Sequence, residues 1–353
     1  MRHVLFIKLR HIGDVLLAAA TCRALKAASP EVRISFLVPS GTEDMLIGHP
    51  DIEEVIPMRR GGGWLENLDL IRRLRRRHFD VAVNMTEGDR GAILAFLCGA
   101  RYRIGVDPRH KGFMGKRRLY THAIQPVYDG RHRALMDMDV LKPFGIPGQA
   151  PQVELFVPEE DQLFVDRWLR EQGLSGQPFV VVHPTSRWIF KCWRDDAVAR
   201  VVDHLELNSI RVVLTSGPDR KEVEKLSSIV ASCHTEPLVL SGCLTLKQLA
   251  ALLHRSTLFF GVDTAPMHMA AALGKPVVVL FGPSDRSLWA PLTPILRIID
   301  RRSDFPCLPC RKDGCDGTKR SLCLEAITVE EVIEALHEVL GLVLPSDFTK
   351  LHP

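Results

Sequence analysis

Three short stretches of this sequence carry residue types that bind anionic groups or move a proton. In Lys8-Leu9-Arg10-His11-Ile12-Gly13-Asp14-Val15, a carboxylate follows a glycine. Gly13 permits a tight turn or close approach of a ligand. Asp14 would sit at the mouth of a cleft beyond the first strand, or it only caps or charge-matches the first turn of a helix. The second stretch, His183-Pro184-Thr185-Ser186-Arg187, is followed by Lys191 and Trp193. Hydroxyls, backbone N–H groups and a cation suit a diphosphate, and they also suit a solvated loop ending in an N-cap. The third runs Gly261-Val262-Asp263-Thr264-Ala265-Pro266-Met267-His268. Pro266 fits a first helical turn, whose N–H groups can receive phosphate oxygens. A carboxylate repels phosphate, so Asp263 fits sugar hydroxyls or a helix cap. His268 by itself reads as a packed histidine. Gly282-Pro283-Ser284 is a further strand-end loop.

Four of the nine cysteines are clustered: Cys307, Cys310, Cys315 and Cys323, a C-x2-C-x4-C-x7-C spacing with Gly314 and Gly317 for turns. Four thiolates so spaced suit one tetrahedral zinc or iron ion in a closed structural site, with no open position for chemistry. The other reading is free thiols in a surface loop. Cys22, Cys98, Cys192, Cys233 and Cys243 are scattered and read as packing residues.

Short apolar, β-branched runs alternate with helical stretches and must position these motifs. Strands are expected at Val4–Ile7, Ile34–Val38 and Asp80–Met85, with helices at His11–Ala28, Trp64–Arg77 and around Ala92–Cys98. Pro143, Gly145, Pro147, Gly148, Pro151 and Pro158 then interrupt the pattern as a linker. After it, strands are expected at Phe179–His183, Arg211–Thr215, Leu258–Gly261 and Val277–Phe281. Helices are expected at Asp195–Leu205, Arg220–Ala231, Leu246–Leu253, Pro266–Leu273 and Val329–Leu340. The expected fold is α/β: two Rossmann-like, doubly wound domains, 1–150 and 151–345, with strand C-termini facing a cleft.

Composition excludes several classes. The 353 residues are 46% hydrophobic and 25% charged, which rules out a mostly disordered or fibrous chain. Lys+Arg 46 against Asp+Glu 42 gives +4, too mild to point to nucleic acid, and no nucleic-acid partner is expected. No uncharged apolar stretch reaches about 20 residues, and the first apolar run is too short for a signal peptide. A cytoplasmic location is therefore expected. The dinucleotide fingerprint after the first strand and the Walker A loop are both missing, which weakens dehydrogenase and P-loop readings.

Lys8–Val15, Pro184–Trp193 and Gly261–Ser284, in this order, together resemble the lipopolysaccharide heptosyltransferases of glycosyltransferase family 9. The opening and His183–Arg194 look most like the heptosyltransferase III branch, and the resemblance covers Met1 to about Leu340. It implies a GT-B fold, with the acceptor mainly on the first domain and the nucleotide-sugar on the second. It implies transfer of L-glycero-D-manno-heptose from ADP-heptose to the lipid A-linked lipopolysaccharide core, with inversion and with no metal or other cofactor in the chemistry. Asp14 matches the family's base and Lys191 its cation on the donor diphosphate. Gly13 belongs to the same opening motif. Thr185 and Ser186 would hold phosphate, and Asp263, Thr264, Ala265 and His268 match the second donor motif. Some family members carry an iron-bearing cysteine finger, which bears on the loop 305–324; pinning it would fix how the C-terminal helix returns toward the first domain.

Basic runs in the first half include Arg59-Arg60, Arg72-Arg73, Arg75-Arg76-Arg77, Arg101, Arg103, Arg109-His110-Lys111 and Lys116-Arg117-Arg118, with Trp64 and Phe113 close by. A basic face would attract the anionic acceptor and the inner-leaflet membrane surface, placing the protein peripherally at the inner face of the inner membrane. The alternative function is a non-catalytic nucleotide-sugar or metal-binding protein on the same scaffold.

Overall fold

The computed structural model describes residues 2–59, 61–107, 112–125, 127, 130–146, 148 and 150–344. Arg60, Arg109, His110, Lys111 and Pro147 lie outside the described residues. The chain forms two compact units, Met1–Phe156 and Val157–Pro353. The division falls beyond the expected 150 because the intervening residues hold onto the first unit. Arg23 pairs with Glu154, and the ring of Phe156 meets that of His49 edge-on at 5.1 Å.

The first unit contains β1 (His3–Ile7), β2 (Arg33–Pro39), β3 (Glu54–Met58), β4 (Val81–Asn84), β5 (Tyr102–Val106) and β6 (His122–Ile124). All are parallel, in the order β3-β2-β1-β4-β5-β6. Its helices are α1 (Ile12–Ala18), α2 (Ala20–Ala28), α3 (Trp64–Arg76), α4 (Asp89–Leu97) and α5 (Arg133–Met138). The expected helix His11–Ala28 is thus broken at Ala19 into α1 and α2.

The second unit repeats the plan with β7 (Phe179–His183), β8 (Arg211–Ser216), β9 (Leu238–Ser241), β10 (Leu258–Val262), β11 (Val277–Leu280) and β12 (Leu296–Ile299). The order is β12-β11-β10-β7-β8-β9, again parallel. Its helices are α6 (Glu159–Glu171), α7 (Asp195–Leu207), α8 (Arg220–Ala231), α9 (Leu246–Arg255), α10 (Ala265–Ala272), α11 (Arg286–Trp289), α12 (Leu322–Glu325) and α13 (Val329–Val343). The fold class is α/β with two Rossmann-like, doubly wound sheets.

β1, β7 and β10 are buried at every position. Each is paired on both sides and covered by helices on both faces, so its sequence is a continuous apolar run. The five strands that the sequence pattern did not announce, β3, β5, β6, β9 and β12, lie toward the sheet edges and are partly exposed.

α13 begins at Val329, as expected, and packs into the second unit. Val329, Val332, Leu336, Val339 and Leu340 join Val198, Val201 and Leu205 of α7 in the second unit's own core. Arg301 pairs with Glu331 and Arg297 with Glu338, so the helix is fixed to that unit along its length.

Candidate functional site

In a sheet of this order, ligands bind beyond the strand C-termini where the strand order reverses. In the second unit that point lies between β7 and β10. Val180–His183 pair with Leu258–Gly261 in register, so the loops after both strands emerge side by side. A Cβ on Gly261 would stand 2.6 Å from the His183 carbonyl oxygen, so only glycine allows this approach.

The two loops bring together Lys191 and Asp263, 72 residues apart. Lys191 Nζ donates to Asp263 Oδ2 at 2.6 Å, and the ammonium stands 5.1 Å from the centre of the Trp188 ring. Both are largely buried, with side chains 17% and 8% exposed, so the charges feel each other strongly. Asp263 therefore balances the lysine and does not cap the next helix. Thr264 holds the N-cap position of α10, Ala265 opens the helix and Pro266 lies in its first turn. No side-chain cap is present there among the described residues, which leaves first-turn N–H groups directed at the strand-end space. His268 is buried one turn further on, with the Trp289 ring at 6.5 Å.

Thr185 and Ser186 follow the C-terminal end of β7. Thr185 is fully buried, and its hydroxyl donates to Glu222 Oε2 at 2.9 Å. Ser186 Oγ accepts the Trp188 N–H at 3.3 Å. Glu222, on α8, was not singled out in the sequence. Burial pushes its carboxyl up, while Thr185 and the Gly217 N–H hold it down. A Cβ on Gly217 would meet its Oε1 at 2.7 Å.

His183 lies fully buried beneath this loop, its Nδ1 2.9 Å from Thr215 Oγ1, and burial pushes its pKa down to about 4 from 6.5. Above pH 6.5 the imidazole is neutral in both folded and unfolded chains. Below it the unfolded chain gains a proton that the folded chain refuses, so stability falls with pH down to about 4. The expected loss is about 3 kcal/mol, at about 1.4 kcal/mol per unit. Urea unfolding from pH 7 to pH 4.5 should show this decline in the native protein, with less of it in His183→Gln. Parallel pH profiles for the two would remove His183 as the cause.

In the first unit, Lys8 follows β1 and Asp14 lies in the first turn of α1. Gly13 is the second residue of that helix and makes no turn of its own. Lys8 is fully buried, and its Nζ donates to Asp137 Oδ2 at 2.5 Å; Asp137 Oδ1 also meets Arg133 at 2.8 Å. Burial pushes the Lys8 ammonium down, and Asp137 opposes the shift. Asp14, half-buried, lies within electrostatic reach of both Lys8 and Arg133. Asp137 and Arg133 come from α5, which packs against α1 and α2, and no local motif marked them.

Cys307 is exposed, Cys310 and Cys315 are half-buried and Cys323 is buried. The Cys323 thiol is pushed up to about 11, by burial first and then by its neighbours Cys315 and Cys310. Their donor chemistry fits zinc or iron. Among the described residues, however, no three potential ligands are gathered into a metal-binding group. The segment is anchored beside the switch point: Ser321 Oγ donates to the Phe190 carbonyl at 2.6 Å, and the Arg311 N–H to the Pro283 carbonyl at 2.9 Å.

Lys191→Ala should weaken binding of a diphosphate-bearing nucleotide by about 10- to 100-fold, because a charge-assisted contact contributes about 1.5–3 kcal/mol. Calorimetry measures it, and unchanged affinity would show that the ammonium serves Asp263 alone.

Comparison with known proteins agrees with this architecture. Residues 67–320 match the family model for glycosyltransferase family 9 (heptosyltransferase). Lipopolysaccharide heptosyltransferase 3 of Escherichia coli is 32% identical over 338 residues, covering 94% of this chain and 97% of that protein. The crystal structure of a family 9 glycosyltransferase from Veillonella parvula superposes with a TM-score of 0.83 at 22% identity, covering 96% of this chain and 97% of that one. The E. coli ADP-heptose lipopolysaccharide heptosyltransferase II structure gives 0.78 at 23% identity, covering 97% and 99%. The chain belongs to glycosyltransferase family 9, the heptosyltransferases.

Proposed function

We propose that this enzyme transfers L-glycero-D-manno-heptose from ADP-heptose to a hydroxyl of the lipopolysaccharide inner core, inverting the anomeric centre. The pairing of Lys191 with Asp263 at the switch point of the second unit carries the reading. It supplies a cation for a diphosphate next to a carboxylate for sugar hydroxyls. The first turn of α10, at Thr264 and Ala265, offers N–H groups to phosphate oxygens. The Thr185 hydroxyl is committed to Glu222 on α8, whereas Ser186 Oγ, which accepts the Trp188 N–H, keeps its own proton for a phosphate oxygen beside the backbone N–H groups. Asp14 takes the acceptor proton as the new C–O bond forms, and the glycosidic bond to ADP breaks with its electron pair going to the diphosphate. Lys191 offsets that charge.

Incubation with ADP-heptose and truncated core acceptors, read by mass, should add one heptose and release ADP. Donor binding without product on any core acceptor would instead support a non-catalytic binding protein. Because the acceptor is lipid-linked, the enzyme would work in the cytoplasm at the inner face of the inner membrane. Among the described residues, no helix is long and apolar enough to cross a membrane.

The cysteine segment would hold a structural zinc or iron ion through Cys307, Cys310, Cys315 and Cys323. Its anchors on Phe190 and Pro283 mean that such an ion would steady the Lys191 loop. Protein purified without chelator should contain close to one equivalent of metal. Cys310→Ser with Cys315→Ser should lose it and lower Tm while retaining some activity. Metal-free native protein with freely titratable thiols would remove the ion.

A further inference from the structure

The basic runs of the first unit do not all face solvent. Lys116 is buried, with Asp89 at 3.0 Å. Arg117 pairs with Asp107 at 3.4 Å, and Arg103 donates to the Leu119 carbonyl at 2.7 Å and the Ala100 carbonyl at 2.9 Å. On α3 the arrangement is different. Leu70 and Leu74 are its buried positions. At helical spacing, the opposite side carries Trp64, Leu65 and Leu68 in its first turns and Arg72, Arg75 and Arg76 in its last. All six are exposed, Trp64 at 71% and Leu65 at 62%. The acidic residues lie to the flank and are matched there, Glu66 by Arg59 at 2.9 Å and Asp69 by Arg73 at 3.0 Å.

α4 runs alongside on the same face of the sheet, since both helices bury side chains in one core cluster. Arg90 donates to Asn67 at 3.0 Å, and Arg75 Nε to the Leu97 carbonyl at 2.9 Å, so the helices are held in line at both ends. α4 adds exposed Ile93 and Phe96, one turn apart. The result is a single outer layer with five large apolar side chains and three arginines.

We propose that this α3–α4 face is the docking surface for an anionic lipid bilayer. The proposal rests on the functional reading above only for the presence of a lipid-linked substrate. A tryptophan with neighbouring leucines suits the headgroup boundary, where an amphipathic ring is favoured. Arginines one to two turns away suit lipid phosphates, and stable attachment needs both apolar and ionic contributions. A face this apolar is otherwise disfavoured on a soluble surface.

The test is sedimentation of the full chain with vesicles of phosphatidylcholine alone or mixed with phosphatidylglycerol. The native protein should partition onto the mixed vesicles, weakly onto the neutral ones, and less as salt rises. Each arginine near an anionic surface contributes about five-fold, so Arg72→Gln with Arg76→Gln should reduce partitioning about 20-fold. Leu65→Ser with Leu68→Ser should reduce it about 10-fold or more. The leucine variant should keep full heptosyl transfer to a water-soluble, deacylated core acceptor. Equal partitioning onto both vesicle types, or either variant binding like the native chain, would overturn the proposal. So would a lipid-free dimer that the leucine variant abolishes, because a second copy would then be the occupant. Vesicle binding by a native chain inactive on the soluble acceptor would overturn the functional reading and leave the docking surface standing.

Discussion

Asp14→Asn is expected to fold, to bind ADP-heptose normally and to lose about 10²–10⁴-fold in turnover, the usual contribution of a general base. The amide is nearly isosteric, and it cannot take the proton that leaves the acceptor hydroxyl. Structural damage should be small. Asp14 occupies the first turn of α1, but His11 holds the N-cap position and no side-chain capping bond is present there among the described residues. Losing a carboxylate from a first turn costs about 0.3–1 kcal/mol. The decisive reading is kcat under saturating donor, with donor affinity measured separately. Turnover within about three-fold of the native enzyme, well below the range for a base, would remove Asp14 from that role.

Asp137→Asn should have the largest effect on stability. Asp137 is the counter-charge for buried Lys8 at 2.5 Å and for Arg133 at 2.8 Å. Its amide would leave two cations facing each other out of water. Breaking a buried pair by removing one partner costs about 3–5 kcal/mol. Lys8→Met should cost less, because Arg133 still compensates the carboxylate. Combining Lys8→Met with Asp137→Leu should recover part of the loss, since no buried charge of that pair then remains unmatched. Urea unfolding of the three variants tests this. An Asp137→Asn midpoint like that of the native chain would mean that water or rearrangement supplies the missing charge.

The same residues show why parts of the candidate sites in the two units were legible and parts were not. Asp14, Lys191 and Asp263 each lie within about a dozen residues of a fully buried strand end. A continuous apolar run followed by a turn places such residues beyond the sheet edge without knowledge of the partner. Glu222, Asp137 and Arg133 come from helices whose sequences look like ordinary amphipathic surface. Their roles arise only when packing sets them against Thr185 and Lys8.

For the fold, the sequence by itself determined the parallel α/β plan, because strands buried on both faces must be apolar throughout. It did not announce β3, β5, β6, β9 and β12, since partly exposed strands toward a sheet edge satisfy no strict pattern. Tertiary structure alone decided how the charges are spent. It paired Lys191 with Asp263 and turned Lys116 inward, while leaving Arg72 and Arg76 of α3 to solvent. Spacing along the chain fixes which side of its own helix a charge takes. Whether that side meets another element depends on the packing of residues far away in sequence.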